Sequence, residues 1–150
     1  MTLLKRTDSE NKDFIELVKC LDAELAERDG ADHSFYHQFN KIDKIRHAVV
    51  VYDGEKPIAC GAIKELSTSS MEIKRMYTLP KERGKGIASK VLTELETWTC
   101  ELGYEKCILE TGKKQPEAIQ LYKKSGYIQV PNYGQYVGID NSICLEKKVS

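Results

Sequence analysis

The chain has 150 residues, of which 41% are hydrophobic and 31% are charged, and its 23 Lys and Arg residues balance 23 Asp and Glu residues. This length suits one ordinary domain, spanning residues 1–150, that can bury its own core without metals or disulfides. Because the net charge is zero, the composition excludes a global field that would attract nucleic acid or an anionic membrane, so any anion site must be local.

The cysteines and the first residues of the chain bear on the cellular compartment. The five cysteines are odd in number and show no C-x-x-C spacing, and the three histidines have no cysteine nearby to complete a zinc site. No stretch approaches the ~20 apolar residues of a membrane span, and the N-terminus lacks the apolar run of a signal peptide. We therefore expect a cytoplasmic protein with reduced thiols, no metal and no membrane partner.

The first half of the chain is predicted to hold a helix and then three strands. Before Asp29-Gly30, apolar residues recur at helical spacing: Phe14, Leu17, Val18, Leu21 and Leu25. The segment Asp32–Lys44 has the spacing of a short second helix. Strands are expected at His47–Tyr52, Pro57–Leu66 and Met71–Leu79, which the intervening turns would join into an antiparallel meander.

The second half begins with a change to the helical period after Pro80. Apolar residues then follow helical spacing up to Gly103: Ile87, Val91, Leu92, Leu95, Trp98 and Leu102. A buried strand around Cys107–Leu109, a helix over Pro116–Lys124, and strands at Tyr127–Val130 and Ser142–Lys147 complete the order. This order predicts an α/β chain of the α+β type, a mixed sheet with helices on it.

The loop over residues 79–88, LPKERGKGIA, leaves a strand and enters an amphipathic helix. A helix N-terminus has unpaired N–H groups and a partial positive charge that favour an anion. Gly84 and Gly86 permit a sharp turn and a close approach to a ligand, and Arg83 and Lys85 add positive charge. The loop is not a Walker loop and lacks G-x-G-x-x-G. It predicts a phosphate site, with a plain strand-to-helix connection as the alternative.

Two motifs resemble those of the GNAT superfamily of N-acetyltransferases. Arg83, Gly86 and Ala88 match its [QR]-x-x-G-x-[GA] signature, and residues 118–127, AIQLYKKSGY, resemble its A-x-x-[LF]-Y-x-x-x-G-[FY] segment. The resemblance covers nearly the whole chain. It implies a mostly antiparallel sheet, flanked by helices, whose fourth and fifth strands splay apart around acetyl-CoA. Gln115 departs from the pattern, because many members have Asn at that position.

The resemblance also implies direct transfer of the acetyl group to an amine, without an acyl-enzyme. Backbone groups near the end of the third meander strand would hold the pantetheine and polarise the thioester carbonyl. The residues expected to bind acetyl-CoA are Met76, Tyr77, Thr78, Arg83, Gly84, Lys85, Gly86, Ile87, Ala88 and Gln115.

Two residues are candidates for proton transfer, because the amine must lose a proton and the CoA thiolate must gain one. Tyr122 matches the family position that commonly protonates the thiolate; the alternative is a buried aromatic. Glu72 lies eleven residues before Arg83, as does the general base of the histone-acetylating branch; the alternative is a surface carboxylate paired with a lysine. Strand alternation would place Glu72, Lys74, Met76 and Thr78 on one face.

The acceptor pocket is expected to draw on the segment Asp32–Lys44 and on the stretch near the C-terminus. Its candidates, each of which could also be a plain surface or core residue, are His33, Tyr36, Asn40, Tyr133 and Tyr136. His33 is also an alternative base. The neutral charge favours a small-molecule amine as acceptor, with a protein N-terminus or lysine as the alternative. A non-catalytic acyl-CoA-binding module is a third hypothesis, and a homodimer is compatible with the sequence.

Overall fold

The computed structural model describes residues 2–29 and 45–150 of the chain. Within these ranges, the strands are β1 (Thr2–Thr7), β2 (His47–Asp53), β3 (Lys56–Glu65), β4 (Ser70–Thr78), β5 (Lys106–Gly112), β6 (Ile128–Val130) and β7 (Ser142–Lys148). The helices are α1 (Lys12–Asp29), α2 (Ile87–Glu101) and α3 (Pro116–Lys124), with short 3-10 turns at Pro80–Glu82 and Gly134–Tyr136. The predicted helix at Asp32–Lys44 lies outside the described residues.

The seven strands of the described residues form one sheet in the order β1-β2-β3-β4-β5-β7-β6. Strands β4 and β5 pair in parallel, and the other neighbours pair antiparallel. The predicted meander is confirmed as β2–β3–β4, and the mixed sheet with helices on it is confirmed as a whole. Parallel pairing of β4 with β5 requires a crossover, which α2 supplies.

The sequence pattern does not predict β1. Its six residues pair antiparallel with β2, from Thr2 opposite Asp53 to Thr7 opposite Ala48. As an edge strand with Leu3 65% exposed, β1 shows no alternation of apolar and polar residues. Arg6 fixes it to α2 instead, through ion pairs with Glu94 at 2.6 Å and Glu101 at 2.7 Å.

Within the described residues, the two larger parts of the core lie on opposite faces of the sheet, and a smaller cluster lies around Tyr136 and Cys144. Helix α1 buries Phe14, Leu17 and Val18 on one face, and α2 and α3 pack on the other. Gly61 in β3 shows how close α2 lies, because a Cβ there would be 2.6 Å from Met76 Sδ and 2.7 Å from Val91 Cγ1. The side-chain-free backbone at Gly61 is therefore a packing requirement of the fold.

Strands β4 and β5 separate part-way along their length. They pair only from Ser70 opposite Lys106 to Glu72 opposite Ile108, although both strands continue beyond this point. The backbone groups of β4 beyond Glu72 that face β5 are thus left without a strand partner. This divergence is the splay that the resemblance implies between the fourth and fifth strands.

A β-bulge interrupts β4 within the splayed region. The register with β3 shifts between Cys60 and Ala62, and Arg75 has a φ of 60°. Met76 packs with the core cluster that contains Ile73, whereas Tyr77 packs on the α1 face. The predicted alternation, which placed Met76 on the face of Glu72, is therefore wrong beyond residue 74, because a bulge shifts the side-chain period by one residue.

Candidate functional site

A cleft of about 550 Å³ opens where β4 and β5 diverge. It runs from the glycine-containing loop before α2, past β4 and the end of β5, to α3 and α1. All the predicted cofactor residues except Lys85 line it, as do Glu72, Tyr122 and Tyr136. Tyr133 does not line it, and His33, Tyr36 and Asn40 lie outside the described residues.

The loop before α2 has the conformation that its two glycines permit. Gly84 and Gly86 have φ values of 81° and 79°, in the left-handed region that other residues adopt at a cost. No atom lies within 4 Å of a Cβ built at either position, so the space above the loop is open. Gly86 is also the N-cap of α2, and no side chain caps it. The first turn of α2 thus presents its N–H groups to the cleft.

Both cations of this loop are paired with carboxylates. The Nε of Arg83 donates to the carbonyl of Thr78 at 2.9 Å, and its Nη2 lies 3.0 Å from Glu24 of α1. The Nζ of Lys85 lies 3.1 Å from Glu82. Arg83 therefore ties the loop to the end of β4 and to α1. The N-terminus of α2 adds its own partial positive charge at this end of the cleft.

Tyr122 lies on α3, at the wall of the cleft opposite β4, and is 6% exposed. Its ring packs edge-on against that of Tyr127, with centroids 5.8 Å apart. Burial, and secondarily the charge of Glu110, raise the pKa of the Tyr122 phenol above its ordinary value. The hydroxyl consequently keeps its proton at neutral pH and can act as an acid.

Glu72 is the last residue of β4 that pairs with β5, and it is only 7% exposed. The hydroxyl of Tyr133 donates to its Oε2 at 2.5 Å, and the Nζ of Lys74 lies 3.4 Å from its Oε1. Burial, and then the carboxylate, raise the pKa of Tyr133, so this tyrosine stays a donor. The lysine pairing expected of a surface carboxylate is present, but the pair is buried in the cleft wall.

The two tyrosines from the segment between β6 and β7 have different positions. Tyr136 is 2% exposed and lines the cleft, with its ring at 80° to that of Tyr133 and 5.6 Å away. Tyr133 instead holds Glu72 from behind the cleft wall. Sequence position alone does not separate these roles, because Tyr133 and Glu72 are 61 residues apart in the chain.

Sequence reasoning missed Arg75 and Glu110, which also line the cleft. Arg75 is 6% exposed, and in the part of the chain that the structure describes its Nε and Nη2 have no hydrogen-bond partner. A signal was present in the residues 71–78, MEIKRMYT, where two adjacent cations interrupt an otherwise largely apolar strand. The pattern does not show which way the side chains of Lys74 and Arg75 point, because it does not predict the bulge at Arg75.

The thiols of the chain do not favour covalent chemistry. Cys60, Cys107 and Cys144 are buried, and burial raises the pKa of each thiol. Cys20 and Cys100 are exposed and free. Across residues 2–29 and 45–150, no group of three His, Cys, Asp or Glu side chains is placed to hold a metal ion. In the same ranges, no helix has the length and apolar character needed to cross a bilayer.

Comparison with known proteins identifies relatives in sequence and in structure. The model of the acetyltransferase (GNAT) family matches residues 12–127. The chain is 32% identical over 114 residues to the uncharacterized N-acetyltransferase YsnE of Bacillus subtilis strain 168, an alignment that covers 72% of this chain and 76% of that protein. The family match extends from the first residue of α1 to the residue after Gly126.

Two solved structures share the fold over essentially their full lengths. A protein of Klebsiella pneumoniae, provisionally classed as an acyl-CoA N-acyltransferase, superposes with a TM-score of 0.84 at 24% identity, covering 100% of this chain and 99% of that one. The PaiA N-acetyltransferase of Thermoplasma acidophilum, solved in complex with coenzyme A, superposes with a TM-score of 0.73 at 16% identity, covering 99% of each chain.

Proposed function

The chain belongs to the acetyltransferase (GNAT) family, and from this premise we propose that it acetylates a primary amine carried by a small molecule. Membership makes the protein an acetyl-CoA-dependent N-acetyltransferase. The class of acceptor and the roles of individual residues are the proposal. The observation that carries it is the cleft between β4 and β5, which joins an open helix N-terminus to a wall of buried ionisable side chains.

The glycine-containing end of the cleft fits the phosphates of acetyl-CoA. The left-handed conformations of Gly84 and Gly86 keep side chains out of the space above the loop, and the uncapped N-terminus of α2 offers N–H donors to an anion. The unpaired stretch of β4, around Met76–Thr78, would hold the pantetheine by main-chain hydrogen bonds. Bound there, acetyl-CoA supplies the activated acetyl group as a thioester.

Tyr122 is the proposed acid. It lines the cleft opposite β4, and its raised pKa keeps the phenol protonated. A protonated hydroxyl at this place can give its proton to the departing thiolate as the C–S bond breaks, so that CoA leaves as the neutral thiol. In this role the Tyr122 hydroxyl would contact the sulfur of CoA directly.

Glu72 is the proposed base. Its carboxylate lies in the cleft wall at the point where β4 and β5 separate, so an ammonium group entering between the strands would meet it. Tyr133 and Lys74 hold the two carboxylate oxygens and thereby fix the side chain. Glu72 would take the proton of the ammonium, directly or through a water, before the amine attacks the thioester carbonyl.

The acceptor end is better suited to a compact molecule than to a peptide. Peptide acceptors use open grooves with main-chain or complementary charge contacts along several residues. Here Glu72, Arg75 and Tyr136 are all buried and converge within one cleft. Small-molecule sites have this character, with a few placed polar groups in a mostly enclosed space of about 300–1,000 Å³.

Steady-state release of free CoA thiol tests the proposal when each small amine is measured beside a peptide that presents the same amine. Free amino acids are paired with peptides bearing the same N-terminal residue, and free lysine with an internal-lysine peptide. We expect the small member of each pair to have the higher kcat/KM, and Tyr122→Phe to lower turnover by a factor of about 10²–10⁴. A peptide with the highest kcat/KM of the panel would contradict the small-molecule acceptor.

A further inference from the structure

One charged group at the acceptor end has buried donors without a partner. Arg75 is 6% exposed, yet within residues 2–29 and 45–150 its Nε and Nη2 make no hydrogen bond. A guanidinium is always charged, and burying its donors without partners is costly, so such groups are rare outside functional sites. Desolvation lowers the pKa of Arg75, which reflects the same cost.

The backbone holds this side chain in place by a strained conformation. Arg75 has a φ of 60°, in the left-handed region that a residue with a long side chain seldom adopts, and it forms the bulge of β4. Its carbonyl accepts a hydrogen bond from the thiol of Cys60 at 3.3 Å. Bulges beside active sites commonly redirect a side chain, and strain of this kind persists where the surrounding structure imposes it.

The two unpartnered nitrogens lie on one edge of the guanidinium. Nε–H and one N–H of Nη2 point in parallel from that edge, with the spacing of the two oxygens of a carboxylate, which allows two parallel hydrogen bonds. The carboxylates of Asp22 and Glu72 act electrostatically on Arg75. Within residues 2–29 and 45–150, neither of them forms an ion pair with it. Asp22 lies on α1, and the Oε1 of Glu72 is close to Lys74.

From these observations we infer that Arg75 binds a carboxylate of the acceptor, so that the substrates are small amino-carboxylates such as amino acids. This inference rests on the proposed function. Glu72 and Arg75 are three residues apart on the same splayed strand and line the same cleft. One molecule that carries both an ammonium and a carboxylate would therefore place the first at Glu72 and the second at Arg75.

Matched acceptors test the inference in the full-length protein with acetyl-CoA. Each amino acid is compared with its carboxamide, which has nearly the same size but no negative charge. Because the carboxylate also raises the pKa of the neighbouring α-ammonium, kcat/KM is calculated for the free-amine form of each acceptor. Truncating one partner of a buried charge pair is severe, so we expect kcat/KM to favour the amino acid by about a hundredfold. In Arg75→Met this ratio should fall to near one.

Two further variants separate binding from structure and from general electrostatics. Arg75→Lys keeps the charge and loses the two-nitrogen edge, so the ratio should fall by about tenfold. Lys64→Met removes an exposed cation from the neighbouring strand, opposite Glu72, and should leave the ratio unchanged. Arg75→Met should also melt no lower than the unaltered protein without ligand, because it removes a buried unpartnered charge. A structural arginine would give a lower melting temperature.

The outcomes distinguish this inference from the proposed function. If the unaltered protein acetylates amino acids and carboxamides equally, or if the ratio survives in Arg75→Met, the inference is wrong and small-molecule acetylation stands. A preference for phosphorylated amines over amino acids also overturns the carboxylate assignment. If peptides exceed every small amine, the proposed acceptor class fails, and the inference fails with it.

Discussion

The two ends of the cleft are built in different ways. At the loop before α2, the surface is main chain: two glycines with positive φ and an uncapped helix N-terminus. At the other end the surface is made of buried side chains, Glu72, Arg75, Tyr122 and Tyr136. On the proposed function, the main-chain end would hold acetyl-CoA, the ligand common to every turnover, and a local motif encodes that end. The side-chain end would select the acceptor, with residues drawn from distant segments.

Replacing Gly86 with Glu should have the largest effect, because it attacks the main-chain end. The substitution puts a side chain and a negative charge into the phosphate path and strains a φ of 79°. For the unaltered protein, acetyl-CoA at a hundred times its dissociation constant should add about 2.7 kcal/mol of stability. We expect thermal unfolding of Gly86→Glu to show no shift with acetyl-CoA.

Gly103→Glu is the matched control for that experiment. Gly103 also has a positive φ, 90°, and also has no atom within 4 Å of a built Cβ, but it follows α2 and does not line the cleft. It should lose a similar amount of stability and keep the full acetyl-CoA shift. Loss of the shift in both variants would show that strain, rather than occupation of the loop, explains the result.

Tyr122→Phe, at the side-chain end of the cleft, should have the second-largest effect, which is on turnover. Loss of one positioned acid typically lowers turnover by a factor of about 10²–10⁴. The acetyl-CoA thermal shift should remain. Because the pKa of Tyr122 is raised above 10.0, ionisation of this phenol should not lower kcat of the unaltered enzyme as pH rises through 10.

Tyr127→Phe provides the comparison for Tyr122, since both rings are buried and in contact. The Tyr127 hydroxyl donates to Glu96 at 2.8 Å, and Tyr127 does not line the cleft. Its loss should cost about 1 kcal/mol of stability and leave turnover unchanged. Equal losses of turnover in the two variants would assign Tyr122 a packing role.

Glu72→Gln and Tyr133→Phe should both lower activity, but only Glu72→Gln should change the shape of the pH–rate profile. If Glu72 is the base, Glu72→Gln removes the acidic limb of the pH–rate profile. Tyr133→Phe removes only the hydroxyl that holds Oε2 at 2.5 Å, so we expect a fall in kcat of about tenfold with the limb retained. Profiles of kcat against pH for the three proteins measure both effects. An unchanged profile in Glu72→Gln would exclude Glu72 as the base.

Gly61→Ala should have the smallest effect on the chemistry and a clear one on stability. The added methyl group would lie 2.6 Å from Met76 Sδ and 2.9 Å from Leu95 Cδ1, so the core must shift. Overpacking of this kind costs about 1–3 kcal/mol. Denaturant unfolding should show that loss. A neutral result would mean that α2 is not packed against β3 as closely as described.

The same contrast between main chain and side chains explains what the sequence could predict. The helices and the β2–β4 meander follow from periodicity, and α3 begins and ends at the predicted residues, Pro116 and Lys124. The residues predicted to bind acetyl-CoA, apart from Gln115, lie in one contiguous stretch around the glycine loop or at one strand end, so a local motif could name them. Lys85 is the one of them that does not line the cleft, and its Nζ lies 3.1 Å from Glu82.

What the sequence did not predict depends on contacts between distant segments. Strand β1 lacks alternation and is held by β2 and by the ion pairs of Arg6 with α2. The positive φ at the bulge could not be predicted, because the residue there is Arg75 and not a glycine. Tyr133 reaches Glu72 only because β7 inserts between β5 and β6 and brings the segment before it to the cleft.

The KM values of the two substrates in one variant from each end test the central claim most directly. Gly86→Ala leaves room for partial cofactor binding and should raise KM for acetyl-CoA with little change for the acceptor. Arg75→Lys should raise KM for an amino acid acceptor with little change for acetyl-CoA. If both KM values rise together in each variant, the two ends of the cleft do not divide recognition between cofactor and acceptor, and the account is wrong.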